Sequence, residues 1–261
     1  MAEFVRVPET DWKDILDATR EKTGGTEKML SGEVAPAVRG IESGGGSSIY
    51  NEELVLKMVE NRLQNPITEF VIPAGCVEIG HSAFAAWASL INITIPDSVK
   101  AIGTNAFVLC YALQLDGLPE GVTRISDSAF NGTNMSSFKK LPDALQTIGN
   151  AVFQYSTGLS IKEIPAGVIT IGKNAFHNCT DLTELTFKGI PATINTQAFY
   201  NCSALTKVTF EGEGMPTTMA ANVFGNCTNL LTINVPWAEG AVANAPWGAT
   251  NATINYNYTG E

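Results

Sequence analysis

The chain has 261 residues, of which 44% are hydrophobic and only 16% are charged, so it can bury a sizeable core and is not a disordered chain. Its net charge is −10 and no block of basic residues occurs, which argues against nucleic acid and anionic membranes as partners. No apolar run approaches the roughly 20 residues of a membrane-spanning helix, and the charged N-terminus does not have the apolar segment of a secretory signal.

Residues 1–42 are predicted to form a small helical attachment module. Trp12, Ile15 and Leu16 recur at the spacing of one helix face, and the pair Gly24-Gly25 ends this first helix. A second short helix is predicted after it. Because two short helices bury little surface alone, we expect the module to pack on a partner or on a second copy of itself. The alternative is a loosely attached chain end.

The next two segments separate this module from the rest of the chain. Residues 43–49 are rich in glycine and serine, which is typical of a flexible linker. Residues 50–64 are predicted to form a helix with Leu56, Val59 and Leu63 on one face. We expect this helix to cap the open end of the repeat that follows, because a solenoid needs an atypical end unit. A short coiled coil is the rival interpretation.

From residue 65 to residue 261 the chain is dominated by a repeat with a period of 23 residues. Successive anchor phenylalanines are 23 residues apart five times and then 25 residues apart, at Phe84, Phe107, Phe130, Phe153, Phe176, Phe199 and Phe224. An isoleucine lies five residues before six of these anchors, and glycine follows four of the isoleucines, at Gly80, Gly103, Gly149 and Gly172. These glycines are predicted to provide tight turns with a positive φ.

Each repeat is predicted to be one coil of a solenoid that is mainly β. The segment Leu182–Phe187 alternates apolar and polar residues, which is the period of a half-buried strand. The Gly-x-x-Ala-Phe segment is interpreted as a turn of α- or 3₁₀-helix. One strand per coil would give eight parallel segments in one long sheet, with each phenylalanine stacked on the next. Alternation in Thr253-Ile254-Asn255-Tyr256-Asn257-Tyr258 predicts a final strand at the C-terminal edge.

The consensus of these coils resembles the BspA-type leucine-rich repeat family over Ile67 to Pro236. It is seen in Ile171-Gly172-x-x-Ala175-Phe176-x-x-Cys179-x-x-Leu182-x-x-Leu185-x-Phe187. The resemblance implies a right-handed leucine-rich-repeat solenoid that serves surface adhesion and protein binding, with no shared catalytic residues. Two coils depart from the pattern, because Thr133 and Ser156 stand where cysteine is expected.

Four of the five cysteines lie three residues after an anchor, at Cys110, Cys179, Cys202 and Cys227. Stacking would bring Cys179 and Cys202 within disulfide reach. We favour free thiols that fill a tight corner, because Trp87, Thr133 and Ser156 occupy the same place in other coils. Cysteines spaced by whole coils do not supply the short ligand loops of a zinc site, so neither a metal nor a cofactor is predicted.

The sequence predicts no catalytic centre. His81 and His177 occupy variable surface positions of the repeat, which disfavours a Ser/His/Asp or Cys/His arrangement. Glu163 and Glu184 are predicted on adjacent strands, and we interpret them as part of a solvated face and not as a glycosidase pair. Asparagine precedes three of the cysteines, at Asn178, Asn201 and Asn226, where its side chain can bond the turning backbone.

Three consecutive coils break the strand pattern. Asp116, Lys139 and Lys162 stand where the other coils place an apolar residue, and the apolar residue comes one place earlier, as Leu115, Phe138 and Ile161. A bulge would return these three residues to the core. Otherwise they would form an exposed apolar stripe, which is typical of a binding site.

These observations predict a non-enzymatic binding protein that uses its sheet for recognition. The candidate sheet-face residues are Thr94, Leu115, Phe138, Lys140, Ile161, Glu163, Glu184, Thr186, Lys207 and Thr209. The expected partner is a protein or glycan surface of a host cell or particle, and the chain is expected to be a homo-oligomer or to be attached through residues 1–42.

Short segments of residues 1–42 resemble the heads of tail-associated phage proteins, which implies an extracellular virion protein that meets a host surface. The alternatives are a bacterial cell-surface adhesin cut from an exported parent and a structural or decoration protein of a particle.

Overall fold

A computed structural model describes residues 68–260, which form a parallel β-solenoid. The predictions for residues 1–42, 43–49 and 50–64 fall outside the described residues. In chain order the strands are β1 (Glu69–Val71), β2 (Glu78–Ile79), β3 (Asn92–Thr94), β4 (Ala101–Ile102), β5 (Arg124–Ile125), β6 (Thr147–Ile148), β7 (Glu163–Ile164), β8 (Thr170–Ile171), β9 (Glu184–Phe187), β10 (Thr193–Ile194), β11 (Lys207–Phe210), β12 (Thr218–Met219), β13 (Thr232–Asn234) and β14 (Thr253–Asn255).

The coils build two long sides of the solenoid instead of the single sheet predicted. One side is a seven-stranded sheet in the order β2-β4-β5-β6-β8-β10-β12, made of two-residue strands that end at the isoleucine, or Met219, before each anchor. The other side consists of a two-stranded sheet, β1-β3, and a five-stranded sheet, β7-β9-β11-β13-β14. All pairings are parallel, and β14 pairs with β13 in register. The predicted solenoid is confirmed, with a second strand in most coils.

The segment around each anchor is not a helix, and no helix occurs in residues 68–260. Around the first six anchors, the residues two before and two after the anchor adopt the left-handed conformation, as Asn174 (φ 57°) and Asn178 (φ 60°) do around Phe176. Left-handed residues on both sides of the anchor interrupt a helix. The Phe176 N–H donates instead to the carbonyl of Ala198 in the next coil, at 2.7 Å. We call this segment, from three residues before to three after each anchor, the arch.

The repeat glycines are required for close stacking and not for a positive φ. None of Gly80, Gly103, Gly149 and Gly172 has a positive φ, so that prediction was wrong. A Cβ added to Gly172 would lie 2.4 Å from the carbonyl carbon of Gly149 in the preceding coil, and one on Gly103 would lie 2.6 Å from the Ile79 oxygen. Only a residue without a side chain lets consecutive backbones approach this closely.

The anchors form a continuous aromatic stack through the core. All seven rings are buried, and successive centroids lie 4.8–5.6 Å apart with nearly parallel planes. Isoleucines such as Ile148 and Ile171 form a second buried ladder beside the stack. Because a single coil leaves one side of each ring uncovered, every coil depends on its two neighbours for burial.

In six of the seven coils the side chain three residues after the anchor donates a hydrogen bond to the anchor carbonyl of the preceding coil; the first coil has Trp87 there instead. The Cys179 thiol donates to the carbonyl of Phe153 in the preceding coil at 3.0 Å, and the Ser156 hydroxyl donates to Phe130 O at 2.8 Å. Thr133 makes the same bond to Phe107 O. Cysteine, serine and threonine are interchangeable here because each is a small buried donor. All five cysteines are free thiols and buried, as favoured from the sequence.

The buried thiols are expected to resist alkylation while the chain is folded. Burial raises the pKa of Cys110 to about 12 and raises those of Cys179 and Cys202 as well, so almost no thiolate exists at pH 8. Mass spectrometry after iodoacetamide treatment should show these three unmodified in native protein and all five modified in guanidinium. Two thiols that stay blocked in unfolded, unreduced protein would contradict this and indicate a bridge.

The three coils with a shifted pattern bury the shifted residue. Leu115, Phe138 and Ile161 lie in the core, whereas the following Asp116 and Lys139 are exposed. The interpretation as an exposed apolar stripe was therefore wrong. The reason is a break in pairing: between β3 and β7 the only strands belong to the seven-stranded sheet. Single coil-to-coil bonds, such as Lys139 N–H to Asp116 O at 3.0 Å, replace the ladder there.

Candidate functional site

The outer face of the five-stranded sheet presents two rows of polar side chains. Parallel register aligns the first row across four strands, as Glu184, Lys207, Thr232 and Thr253. The second row crosses all five strands, as Glu163, Thr186, Thr209, Asn234 and Asn255. The residues between the rows point into the core, so the face is set by the two-residue period of the strands. We call these two rows the sheet face.

Hydrogen bonds link the side chains in the second row. The Asn255 amide donates to Asn234 Oδ1 at 2.8 Å, and the Asn234 amide donates to Thr209 Oγ1 at 3.2 Å. Neighbours on both strands cover the middle of this row, leaving Thr209 only 7% and Asn234 only 3% exposed. Thr209 therefore accepts a hydrogen bond within the row and is too buried to contact a partner. This corrects its prediction as a surface residue.

An ion-pair cluster borders the second row. The Lys188 ammonium lies 2.6 Å from Glu211 and 3.8 Å from Glu163. The hydrogen bond that Lys188 donates to Glu211 raises the pKa of Lys188, so this ammonium group stays charged throughout the physiological range. Exposed pairs of this kind add little stability but orient their side chains. They give one border of the sheet face a fixed pattern of alternating charge.

The predicted sheet-face residues do not form one surface. The structure brings together Glu163, Glu184, Thr186 and Lys207 on the five-stranded sheet. Thr94 is exposed on the separate two-stranded sheet. Lys140 is exposed where the pairing is broken, and it bonds Glu120 at 2.6 Å, which raises the pKa of Lys140. The core, as described above, contains Leu115, Phe138 and Ile161.

Six members or neighbours of the sheet face were not predicted from the sequence. They are Lys188, Glu211, Thr232, Asn234, Thr253 and Asn255. Counting one repeat onward from Lys207 with the 25-residue spacing leads to Thr232, so the signal for the first row was present. No sequence pattern indicated the ion pairs, because Lys188 and Glu211 each follow the last residue of a strand and are not part of its alternation.

The structure places the titratable residues considered from the sequence as follows. Glu163 lies beside Thr186 in register and Glu184 lies beside Lys207, so the two carboxylates are diagonal and not direct neighbours on adjacent strands. His81 is exposed and His177 half-buried, and they belong to different coils. In the described part of the chain, no three His, Cys, Asp or Glu residues converge to hold a metal, and no helix is suited to cross a membrane.

Comparisons with known proteins agree with this architecture. The family model for the BspA type leucine-rich repeat region matches residues 62–160 and 147–238. A leucine-rich repeat protein from T. pallidum is 29% identical over 62% of this chain and 78% of its own, with a TM-score of 0.51. No curated protein gives a significant match.

Two further solved structures show weaker similarity. A leucine-rich repeat protein from Bacteroides ovatus is 20% identical over 74% of this chain and 70% of its own, with a TM-score of 0.41. A leucine-rich cell surface protein from Faecalibacterium prausnitzii is 19% identical over 76% of this chain and 81% of its own, also with a TM-score of 0.41. The repeat period, the stacked anchors and a family match over more than half of its residues show that the chain belongs to the BspA-type leucine-rich repeat family.

Proposed function

We propose that this chain is a non-enzymatic binding protein that attaches to a partner through the sheet face. The observation that carries the proposal is the pair of aligned polar rows, which are built on strands whose opposite side packs against the core. A rigid scaffold presents such side chains with little conformational entropy left to lose on binding. Repeat solenoids commonly use extended surfaces of this kind for recognition.

The chemistry of the face favours a polar partner with both signs of charge. Glu184 and Lys207 are exposed neighbours on adjacent strands, and Thr232 and Thr253 continue their row with hydroxyl groups. Complementary charges on a partner would fix its register along the row. A protein loop or a charged glycan at a cell or particle surface has this character.

The place where the chain is displayed is a second part of the proposal. The resemblance of residues 1–42 to phage tail-associated segments supports a virion protein that is attached through those residues. The 29% identity with a bacterial leucine-rich repeat protein supports the alternative of a bacterial cell-surface adhesin. Proteomics of purified particles and of cell envelopes distinguishes the two: enrichment in particles supports the virion protein, and enrichment in envelopes alone supports the adhesin.

The double substitution Glu184→Ala/Lys207→Ala is expected to weaken binding of labelled protein to intact cells roughly tenfold, because it removes the central charges of the face. Flow cytometry on bacterial and epithelial cells measures this loss. Lys100→Ala/Glu239→Ala is the matched control, since it removes the same two charge types from exposed positions outside the sheet face. Equal binding by both double variants would contradict the proposal.

A further inference from the structure

A second surface lies on the arch, away from the strands that form the sheet face. It consists of the side chains one and two places after three consecutive anchors, which are Gln154, Tyr155, His177, Asn178, Tyr200 and Asn201. All six are exposed or half-buried. Because coils stack in register, these residues form a strip parallel to the solenoid axis. We call it the arch strip.

Aromatic rings form one line of the arch strip. The Tyr155 and His177 centroids are 5.6 Å apart, and those of His177 and Tyr200 are 5.1 Å apart. Tyr155 is 53% exposed. Gly225 in the next coil leaves space for the last ring, since a Cβ there would lie 2.9 Å from Tyr200 Cδ2. The strip therefore offers rings at intervals of about one coil.

Amides form the second line of the arch strip. The Asn201 amide donates to Asn178 Oδ1, and the Asn226 amide continues the chain by donating to Asn201 Oδ1. Asparagine tolerates the left-handed conformation that this position requires. A primary amide has two N–H donors and two carbonyl lone pairs, and the ladder uses one of each at Asn201. Donors and acceptors remain on the strip for a ligand.

The arch strip has no formal charge at neutral pH. Burial lowers the pKa of His177, and its Nδ1 is buried with no hydrogen-bond partner, so the ring is neutral at pH 7. The charged residues closest in the sequence are Lys173 and Asp181, and the Asp181 carboxylate accepts a hydrogen bond from the Gly158 N–H at 2.8 Å. This neutrality contrasts with the sheet face and with the net charge of −10 for the chain.

We propose that the arch strip binds a neutral, linear glycan laid along the solenoid axis. The C–H faces of pyranose rings are attracted to the negative faces of aromatic rings, and their hydroxyl groups exchange hydrogen bonds with amides. Rings and amides repeated at one-coil intervals suit a polymer with a short repeat. A protein partner is less suited, because protein interfaces usually bury their aromatic anchors in pockets and add arginine, and the arch strip contains no arginine. This inference does not depend on the sheet face.

The test uses the full chain on an array with three classes of oligosaccharide: neutral hexose and N-acetylhexosamine chains, sialylated chains and sulfated chains. We expect binding to at least one neutral chain. Tyr155→Ala and Tyr200→Ala should each lower that affinity roughly tenfold, because each removes a stacking ring. Tyr111→Ala is the matched control, since that tyrosine is 59% exposed on a different coil outside the strip. The variant Lys100→Ala/Glu239→Ala, changed at two exposed positions outside both surfaces, should also bind normally.

Thermal unfolding of each variant first establishes that it is folded. The proposal is overturned if no neutral chain binds, if only sialylated or sulfated chains bind, or if both tyrosine variants bind as well as the wild type. Cell binding that is lost in the tyrosine variants without any glycan binding would identify a protein as the occupant and also overturn it. A negative result for the arch strip leaves the sheet-face experiment unaffected, because the two experiments change different residues.

Discussion

Phe153→Ala is expected to lower the free energy of unfolding by about 3–5 kcal/mol, the range for deleting a fully buried aromatic ring. Phe153 has no exposed surface and stacks between Phe130 at 5.6 Å and Phe176 at 5.2 Å. Phe138 also packs against it, at 6.1 Å. The cavity would therefore lie inside the continuous stack and weaken the contacts of the coil with both neighbours. Urea denaturation followed by circular dichroism measures the change.

Tyr111→Ala is the control for this substitution, because it also removes an aromatic ring but from an exposed position. Its expected effect stays within about 0.5 kcal/mol, as for most surface changes. Limited proteolysis should in addition cleave the Phe153→Ala protein near its middle before its ends, since coils contact only their neighbours. A loss of stability no larger than that of Tyr111→Ala would show that the aromatic stack does not stabilise the solenoid.

The core could be predicted from the sequence because it depends on a single spacing. Anchors at 23-residue intervals must stack if coils are equal in length, and the structure places every one of them in the core. The seven-stranded side of the solenoid could not be predicted in the same way. Its strands, such as Thr170–Ile171, are two residues long, and a period of two cannot be recognised in two residues.

The arch was misinterpreted because its local bonds, such as His177 N–H to Asn174 O at 3.0 Å, alternate with bonds to the next coil. The Gly-x-x-Ala-Phe pattern is compatible with a helical turn when only one coil is considered. The structure satisfies the Phe176 N–H with an acceptor in the next coil, 22 residues away at Ala198. Asparagine or serine two places before the anchor was the available signal for a left-handed residue, as at Asn174 and Ser128.

Outward direction and exposure are different properties, which explains the mixed outcome for the candidate site. Alternation placed Thr186 and Thr209 correctly on the outer face. Exposure depends also on the neighbouring strands, and Thr209 is covered between Thr186 and Asn234. The burial of Phe138 likewise depends on a break in strand pairing that no single coil reveals.

Gly172→Ala is expected to destabilise the chain by about 3 kcal/mol, at the upper end of the usual cost of overpacking. The added Cβ would lie 2.4 Å from both the carbon and the oxygen of the Gly149 carbonyl and 2.6 Å from the Asn150 nitrogen. All three are backbone atoms, so no flexible side chain can move away. The two coils would have to separate locally, which weakens the pairing of β6 with β8. Urea denaturation measures the loss.

Gly117→Ala provides the control because it makes the same chemical change in open space. No atom lies within 4 Å of a Cβ at Gly117, and its φ is not positive, so alanine fits without strain. Its expected effect ranges from neutral to a gain of about 1 kcal/mol, since alanine restricts the unfolded chain more than glycine does. Similar stabilities for the two variants would mean that consecutive coils can separate at Gly172 without cost. Close backbone approach at the repeat glycines would then not be a requirement of the fold.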